Sequence, residues 1–176
     1  MIKLLNILKE TQILVPRRSP EERQKNYLIA TQKKIQQYIK NGLKGSLNLS
    51  DTPIQSLPDG LEVGGNLYLS DTSIQSLPDG LKVGGFLNLY KSQIQSLPND
   101  LKVGGTLDLD DTPIQSLPND LEVGGNLWLK NTPIQSLPND LEVGGDLWLK
   151  NTPLAKKYTQ EELKAKYPGI KGDIYF

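Results

Sequence analysis

The chain has 176 residues, of which 36% are hydrophobic and 23% charged, the composition expected of a soluble folded domain. Cysteine and histidine are both absent, which excludes disulfides, thiolate nucleophiles, Cys/His zinc sites, histidine general bases and Ser-His-Asp triads. The formal net charge of zero hides an asymmetry, with +7 over residues 1–44, −9 over 45–150 and +2 over 151–176.

Taken in chain order, Leu4, Leu5 and Leu8 suggest a short helix before Pro16. The stretch Met1 to Glu10 is broken by Lys3, Asn6 and Lys9 and is followed by no small-residue cleavage site. No signal peptide is therefore expected, nor a spanning helix, and a cytoplasmic location in the producing or infected cell follows. Ser19-Pro20-Glu21-Glu22 places an N-cap serine, a proline at the first helical position and a reciprocal glutamate. From there Leu28, Ile35 and Ile39, with Tyr27, Thr31 and Tyr38 beside them, keep helical spacing until Asn41-Gly42.

Then the chain repeats itself every 20 residues as L-x-V-G-G-x-L-x-L-x-x-[TS]-x-I-Q-S-L-P-x-x. The G-x-L-x-L unit occurs seven times, at Leu47/Leu49, Leu67/Leu69, Leu87/Leu89, Leu107/Leu109, Leu127/Leu129, Leu147/Leu149 and, after a longer step, Ile174/Phe176. Its alternation with period two predicts a short strand, and a coil that returns once per copy makes successive strands parallel. Ile74, Leu77 and Leu81 and their equivalents should fill the core from the remaining sides. Pro78 prevents a helical return, and the Gly-Gly pair supplies a corner that side chains would crowd. Thr159-Gln160-Glu161-Glu162 is a second capping box, and Tyr167-Pro168-Gly169 ends that helix. The expected organisation is a helical N-terminal cap over 1–44, repeats over 45–154 and a C-terminal cap of helix plus final strand over 155–176, as one folding unit.

The run Leu67-Tyr68-Leu69-Ser70-Asp71-Thr72-Ser73-Ile74 resembles the leucine-rich-repeat core L-x-L-x-x-N-x-L, and Leu77-Pro78 is similar to the short proline-containing repeats of bacterial effectors. The resemblance covers about residues 43–154. It implies a repeat solenoid with a parallel sheet on an open face, extended proline-containing returns and helical caps. Two departures stand out. A hydroxyl ladder (Thr52, Thr72, Ser92, Thr112, Thr132, Thr152) replaces the family's asparagine, and the Val-Gly-Gly corner is closer to repeat proteins of bacteriophage and environmental viruses. The catalytic cysteine of an effector ubiquitin ligase is missing.

Variation between copies concentrates around the strand leucines, whose outward neighbours leave the core. The position between them holds Asn48, Tyr68, Asn88, Asp108, Trp128, Trp148 and Tyr175. Two residues earlier stand Ser46, Asn66, Phe86, Thr106, Asn126, Asp146 and Asp173, and two later Ser50, Ser70, Tyr90, Asp110, Lys130 and Lys150. The next column is Asp51, Asp71, Lys91, Asp111, Asn131 and Asn151. Aromatics gathered outside a core, with Asp and Lys around them, have the composition of a binding face. The competing reading is cross-strand pairing that only stiffens the sheet. A face of seven strands at about 4.8 Å covers on the order of 500 Å², less than one side of a standard protein interface.

Other constellations carry less. Asp108, Asp110 and Asp111 cluster as in a calcium site, yet Lys91 and Lys130 in neighbouring copies favour a solvated, cross-paired surface, and no metal or cofactor is expected. Gln55, Gln75, Gln95, Gln115 and Gln135 suggest coil-to-coil amide bonding. Arg17, Arg18 and Arg23 lack interleaved aromatics, so no nucleic-acid partner is expected. Catalysis would rest on Asp108 and Asp110, on a surface expected to be open, so a non-enzyme is expected. The sequence thus points to a recognition module whose partner is a protein, bound through Tyr68, Phe86, Tyr90, Asp108, Asp110, Trp128, Lys130, Trp148, Lys150 and Tyr175. A structural or self-associating role and a glycan-binding face are the alternatives.

Overall fold

The computed structural model describes residues 19–176, which form a β-solenoid with a helical cap at each end. The expected helix at Leu4–Leu8 and the basic residues Arg17 and Arg18 lie outside the described residues. Seven two-residue strands stack in parallel as the front sheet, in the order Leu47–Asn48, Leu67–Tyr68, Leu87–Asn88, Leu107–Asp108, Leu127–Trp128, Leu147–Trp148 and Ile174–Tyr175. Each leucine sits opposite the leucine of the next copy, and Leu147 opposite Ile174. The 27-residue last step therefore closes in the same register as the 20-residue ones.

Behind each front strand the chain winds through a buried set of identical chemistry. In the second copy this is Leu67, Leu69, Ile74, Leu77, Leu81 and Val83, none more than 6% exposed. One coil has nothing to pack such a set against except its neighbours, so the core is a single column of stacked layers.

A second parallel sheet, absent from the sequence expectation, runs along the flank. Its five strands are Glu62–Val63, Lys82–Val83, Lys102–Val103, Glu122–Val123 and Glu142–Val143. A stretch of two residues carries no alternation that a sequence pattern can register. The stacking itself creates the sheet, because coils in register bring equivalent backbone groups within bonding distance. Along it, Lys82 pairs with Glu62 at 2.8 Å and Lys102 with Glu122 at 2.7 Å. The following glycines close the spacing: Gly84 N–H donates to the Val63 carbonyl at 2.8 Å, and Gly85 N–H to the Gly65 carbonyl at 2.9 Å.

The turn after each front strand explains two sequence columns. Asp51, Asp71, Lys91, Asp111, Asn131 and Asn151 all have positive φ, between 54° and 62°. Asp and Asn are the non-glycine residues that tolerate this left-handed conformation best, so the column is a backbone requirement and not a variable surface. The hydroxyl ladder bonds within each coil. The hydroxyls of Thr52, Thr72, Thr112, Thr132 and Thr152 donate to the carbonyl three residues back at 2.6–2.8 Å.

Ser92 is the exception, fully buried with a hydroxyl that finds no partner. Ser92→Thr places the repeat's own residue there, with its methyl group and restricted rotamer. The variant is expected to gain about 1 kcal/mol in urea unfolding. A loss would show that the site cannot hold the methyl group.

Helix α1 (Pro20–Lys40) opens on the expected capping box, Ser19 with Glu22, and ends at Asn41. Its buried residues are Thr31, Ile35 and Tyr38, whereas Leu28 and Ile39, expected on the apolar face, are 37% and 38% exposed. Tyr38 is the true anchor. Its hydroxyl donates toward the carbonyls of Leu43 (2.8 Å) and Gly45 (3.0 Å) and accepts from Gly64 N–H. At the other end a short helix α2 (Pro153–Lys157), not foreseen from sequence, precedes α3 (Gln160–Lys166) with its Thr159/Glu162 capping box. Leu154, Leu163 and Tyr167 close the core from that side.

Candidate functional site: an aromatic strip on the front sheet

The outward residues of the front sheet divide into those the fold needs and those it does not. The column before the first strand leucine is structural. Ser46 Oγ accepts Asn66 N–H at 3.0 Å, Asn66 Oδ1 accepts Phe86 N–H at 2.9 Å, and Thr106 Oγ1 accepts Asn126 N–H at 3.3 Å. Asn126 and Asp146 continue the series at 2.8 Å each, to Asp146 N–H and Asp173 N–H. Each side-chain oxygen catches the backbone of the next coil. The sequence places this column on the variable face, but its shared trait, a short oxygen-bearing side chain, marks it as part of the coil-to-coil bonding. Phe86 alone breaks it, giving up that bond to put a ring on the surface.

The rings form a nearly continuous strip across the sheet. Tyr68 meets Phe86 edge to face, with centroids 5.9 Å apart and planes at 81°. Phe86 meets Trp128 at 6.2 Å and 62°, although a whole coil lies between them. Trp148 stacks on Tyr175 at 4.2 Å and 19°. Between the two tryptophans lies Lys130, its ammonium 5.6 Å from the Trp128 ring centre and 5.2 Å from that of Trp148. Tyr90 stands beside the strip with Lys91 over its ring at 4.9 Å, and Lys150 is exposed at the edge. The structure thus brings Tyr68, Phe86, Trp128, Lys130, Trp148 and Tyr175 together and leaves Tyr90 and Lys150 flanking them.

Pairing of this kind stiffens a sheet, but stiffening does not account for the tryptophans. The indole N–H groups of both Trp128 and Trp148 are buried without a partner. An unpaired buried donor costs about 1–3 kcal/mol, and phenylalanine would give the ring contacts without it.

The acidic residues depart furthest from expectation. Asp108 and Asp110 were expected on an open, solvated surface, but they are only 6% and 8% exposed. Asp108 lies between Asn88 and Trp128 in strand register, in the coil that Phe86 and Trp128 reach across. Desolvation pushes its carboxyl up to about 6, against a smaller lowering by the hydrogen bond from Asp110 N–H. Burial also raises Asp110, opposed by the backbone N–H of Lys130 at 2.7 Å and by the Lys130 ammonium at 3.4 Å. The expected Lys130–Asp110 pair therefore forms. Lys91 and Asp111 make no ion pair. Lys91 lies on Tyr90, and Asp111 accepts from Asn131 at 2.8 Å.

Among the described residues no group of three or more acidic side chains is arranged to hold a metal ion. The glutamine column stays exposed and makes no side-chain bonds between coils. What links it is backbone, Gln95 N–H donating to the Gln75 carbonyl at 2.9 Å. Comparison with protein-family models and with curated proteins finds no match for the chain. None of the described helices is long and apolar enough to cross a membrane.

Proposed function

We propose that the chain is a non-catalytic recognition module of the leucine-rich-repeat type, working in the cytoplasm, that binds a protein through the front sheet. The observation that carries this reading is the aromatic strip itself. Tyr68, Phe86, Trp128, Trp148 and Tyr175 stand on five of the seven front-sheet coils, outside a core that is complete without them. Large rigid rings with few rotatable bonds supply contact area at low entropic cost, and they dominate the energetics of protein interfaces. Lys130 and Lys150 orient the approach. The strip is narrow, so the complex is expected to be modest or transient unless the caps contribute.

A second reading, self-association, is favoured by one observation. Tyr175, in the last strand of the front sheet, and Phe176 just after it are 37% and 42% exposed, and among the described residues no strand pairs beyond that edge.

Light scattering on the wild type and on Trp128→Ala/Trp148→Ala over a range of concentrations separates the two. A wild type that stays monomeric, with a partner lost by at least tenfold in the double variant, is expected for recognition. A concentration-dependent dimer would replace it with self-association, through the front face if the double variant abolishes it and through the Tyr175–Phe176 edge if it does not.

A further inference from the structure

The outward column between the strand leucines has a backbone duty in three copies. Asn48 Oδ1 accepts Ser50 N–H at 3.0 Å, Asn88 Oδ1 accepts Tyr90 N–H at 2.9 Å, and Asp108 Oδ1 accepts Asp110 N–H at 3.0 Å. An amide performs that duty twice, so the fold has no need of a carboxylate in the fourth copy. Yet an acid stands there, only 6% exposed, on the coil that the Phe86–Trp128 contact crosses. Its second oxygen takes no hydrogen bond or ion pair from any described residue, Lys130 pairing with Asp110 instead, and this oxygen is not among the fully buried atoms, so it keeps contact with solvent. A largely desolvated carboxylate whose neighbouring cation is paired with another acid is unfavourable, and the chain keeps it where an amide would serve.

Two further observations say what would match it. Lys130 shows that this aromatic wall already seats a cation, held between Trp128, Trp148 and a carboxylate. The repeats around it, residues 45–150, carry a net charge of −9, which draws a basic partner from a distance.

We propose that the solvent-reachable oxygen of Asp108, on the coil that the Phe86–Trp128 contact crosses, receives an arginine side chain of a protein partner, its guanidinium hydrogen-bonded to Asp108 Oδ2 and lying against a ring. The inference rests on the front sheet being a protein-binding surface. Arginine fits better than lysine because its planar, weakly hydrated guanidinium stacks on rings and bonds a carboxylate in two places.

A random 12-residue peptide library selected on the wild type, on Asp108→Asn and on Trp128→Ala/Trp148→Ala tests both levels. The wild type is expected to select peptides sharing one arginine, and these should bind Asp108→Asn at least tenfold more weakly in calorimetry. Peptides lost on the double variant but without a shared arginine, or bound equally by Asp108→Asn, overturn the arginine slot and leave the surface reading standing. If no peptide is selected, or if binding survives loss of both tryptophans, the surface reading fails and the slot with it. A measurement on the wild type needs no variant to fold. The arginine peptide should move the Asp108 carboxyl signal in NMR and a citrulline copy should not; equal movement, or none, overturns the proposal.

Discussion

Gly104→Ala is expected to destabilise the solenoid by about 2–3 kcal/mol, although it adds a single methyl group to the surface of the flank. The added carbon would fall against the carbonyl oxygen of Gly84 and 3.1 Å from its carbonyl carbon. Both are backbone atoms, so no rotamer change makes room. Separating the coils would stretch the Gly104 N–H bond to Val83, 2.8 Å, and the Gly105 N–H bond to Gly85, 3.0 Å. The same contact recurs at Gly124 and Gly144, so one displaced coil strains the stack on both sides. Gly60→Ala is the control. It has φ of 65° and nothing within 4 Å of the new methyl group, so it should cost about 1 kcal/mol for the left-handed backbone alone. Urea unfolding of both variants measures the difference. Equal losses would mean that close approach of the glycines does not set the coil spacing.

Asp108→Asn should stabilise the protein at neutral pH and do nothing in acid. The folded carboxyl keeps its proton up to about pH 6, whereas in the unfolded chain it ionises near its ordinary value of 3.8. Between those values the folded state binds more protons than the unfolded state, so stability falls as pH rises through the window. Above about pH 7 the whole penalty is present; below about pH 4 it is absent. Allowing for solvent screening at the edge of the site, the gain from removing the charge is about 1–2 kcal/mol at pH 7.5. Asparagine already accepts the equivalent backbone bond at residues 48 and 88, so the exchange leaves the local geometry intact. Thermal melts of both proteins from pH 4 to 8 should converge in acid and diverge above pH 6. A smaller slope will persist in the variant, since burial also raises Asp110. Parallel curves would show that Asp108 is solvated rather than buried.

These two results bear on the proposed interface in different ways. The glycine contact fixes the coil spacing and so the distance between neighbouring rings. The Asp108 penalty measures what the fold gives up to keep an acid on the same sheet as those rings, and a cationic partner would offset it.

The 20-residue period determined the solenoid, its parallel stacking and the buried leucine, isoleucine and valine columns, and the motifs at Ser19–Glu22 and Thr159–Glu162 determined the two capping boxes. These follow from local rules: alternation gives a strand, a serine or threonine three residues before glutamate starts a helix, and a unit that cannot bury its own apolar face must stack. The aromatic columns could be read in the same way, because an outward position is outward in every copy. Tertiary structure decided which of those columns the fold itself consumes. Asn66, Asn126 and Asp146 are spent on the next coil's backbone, and Asp51 through Asn151 on left-handed turns. It also decided that helix α1 anchors through Tyr38 rather than Leu28, and that the Glu/Lys-Val pairs join as a sheet. The burial of Asp108 was the least legible feature. It arises in the coil over which Phe86, 22 residues before it, and Trp128, 20 residues after it, touch each other, a contact between copies that no repeat pattern displays. A repeat pattern fixes where a side chain starts from the backbone, but contacts between copies fix where its ring comes to rest and which charge is buried.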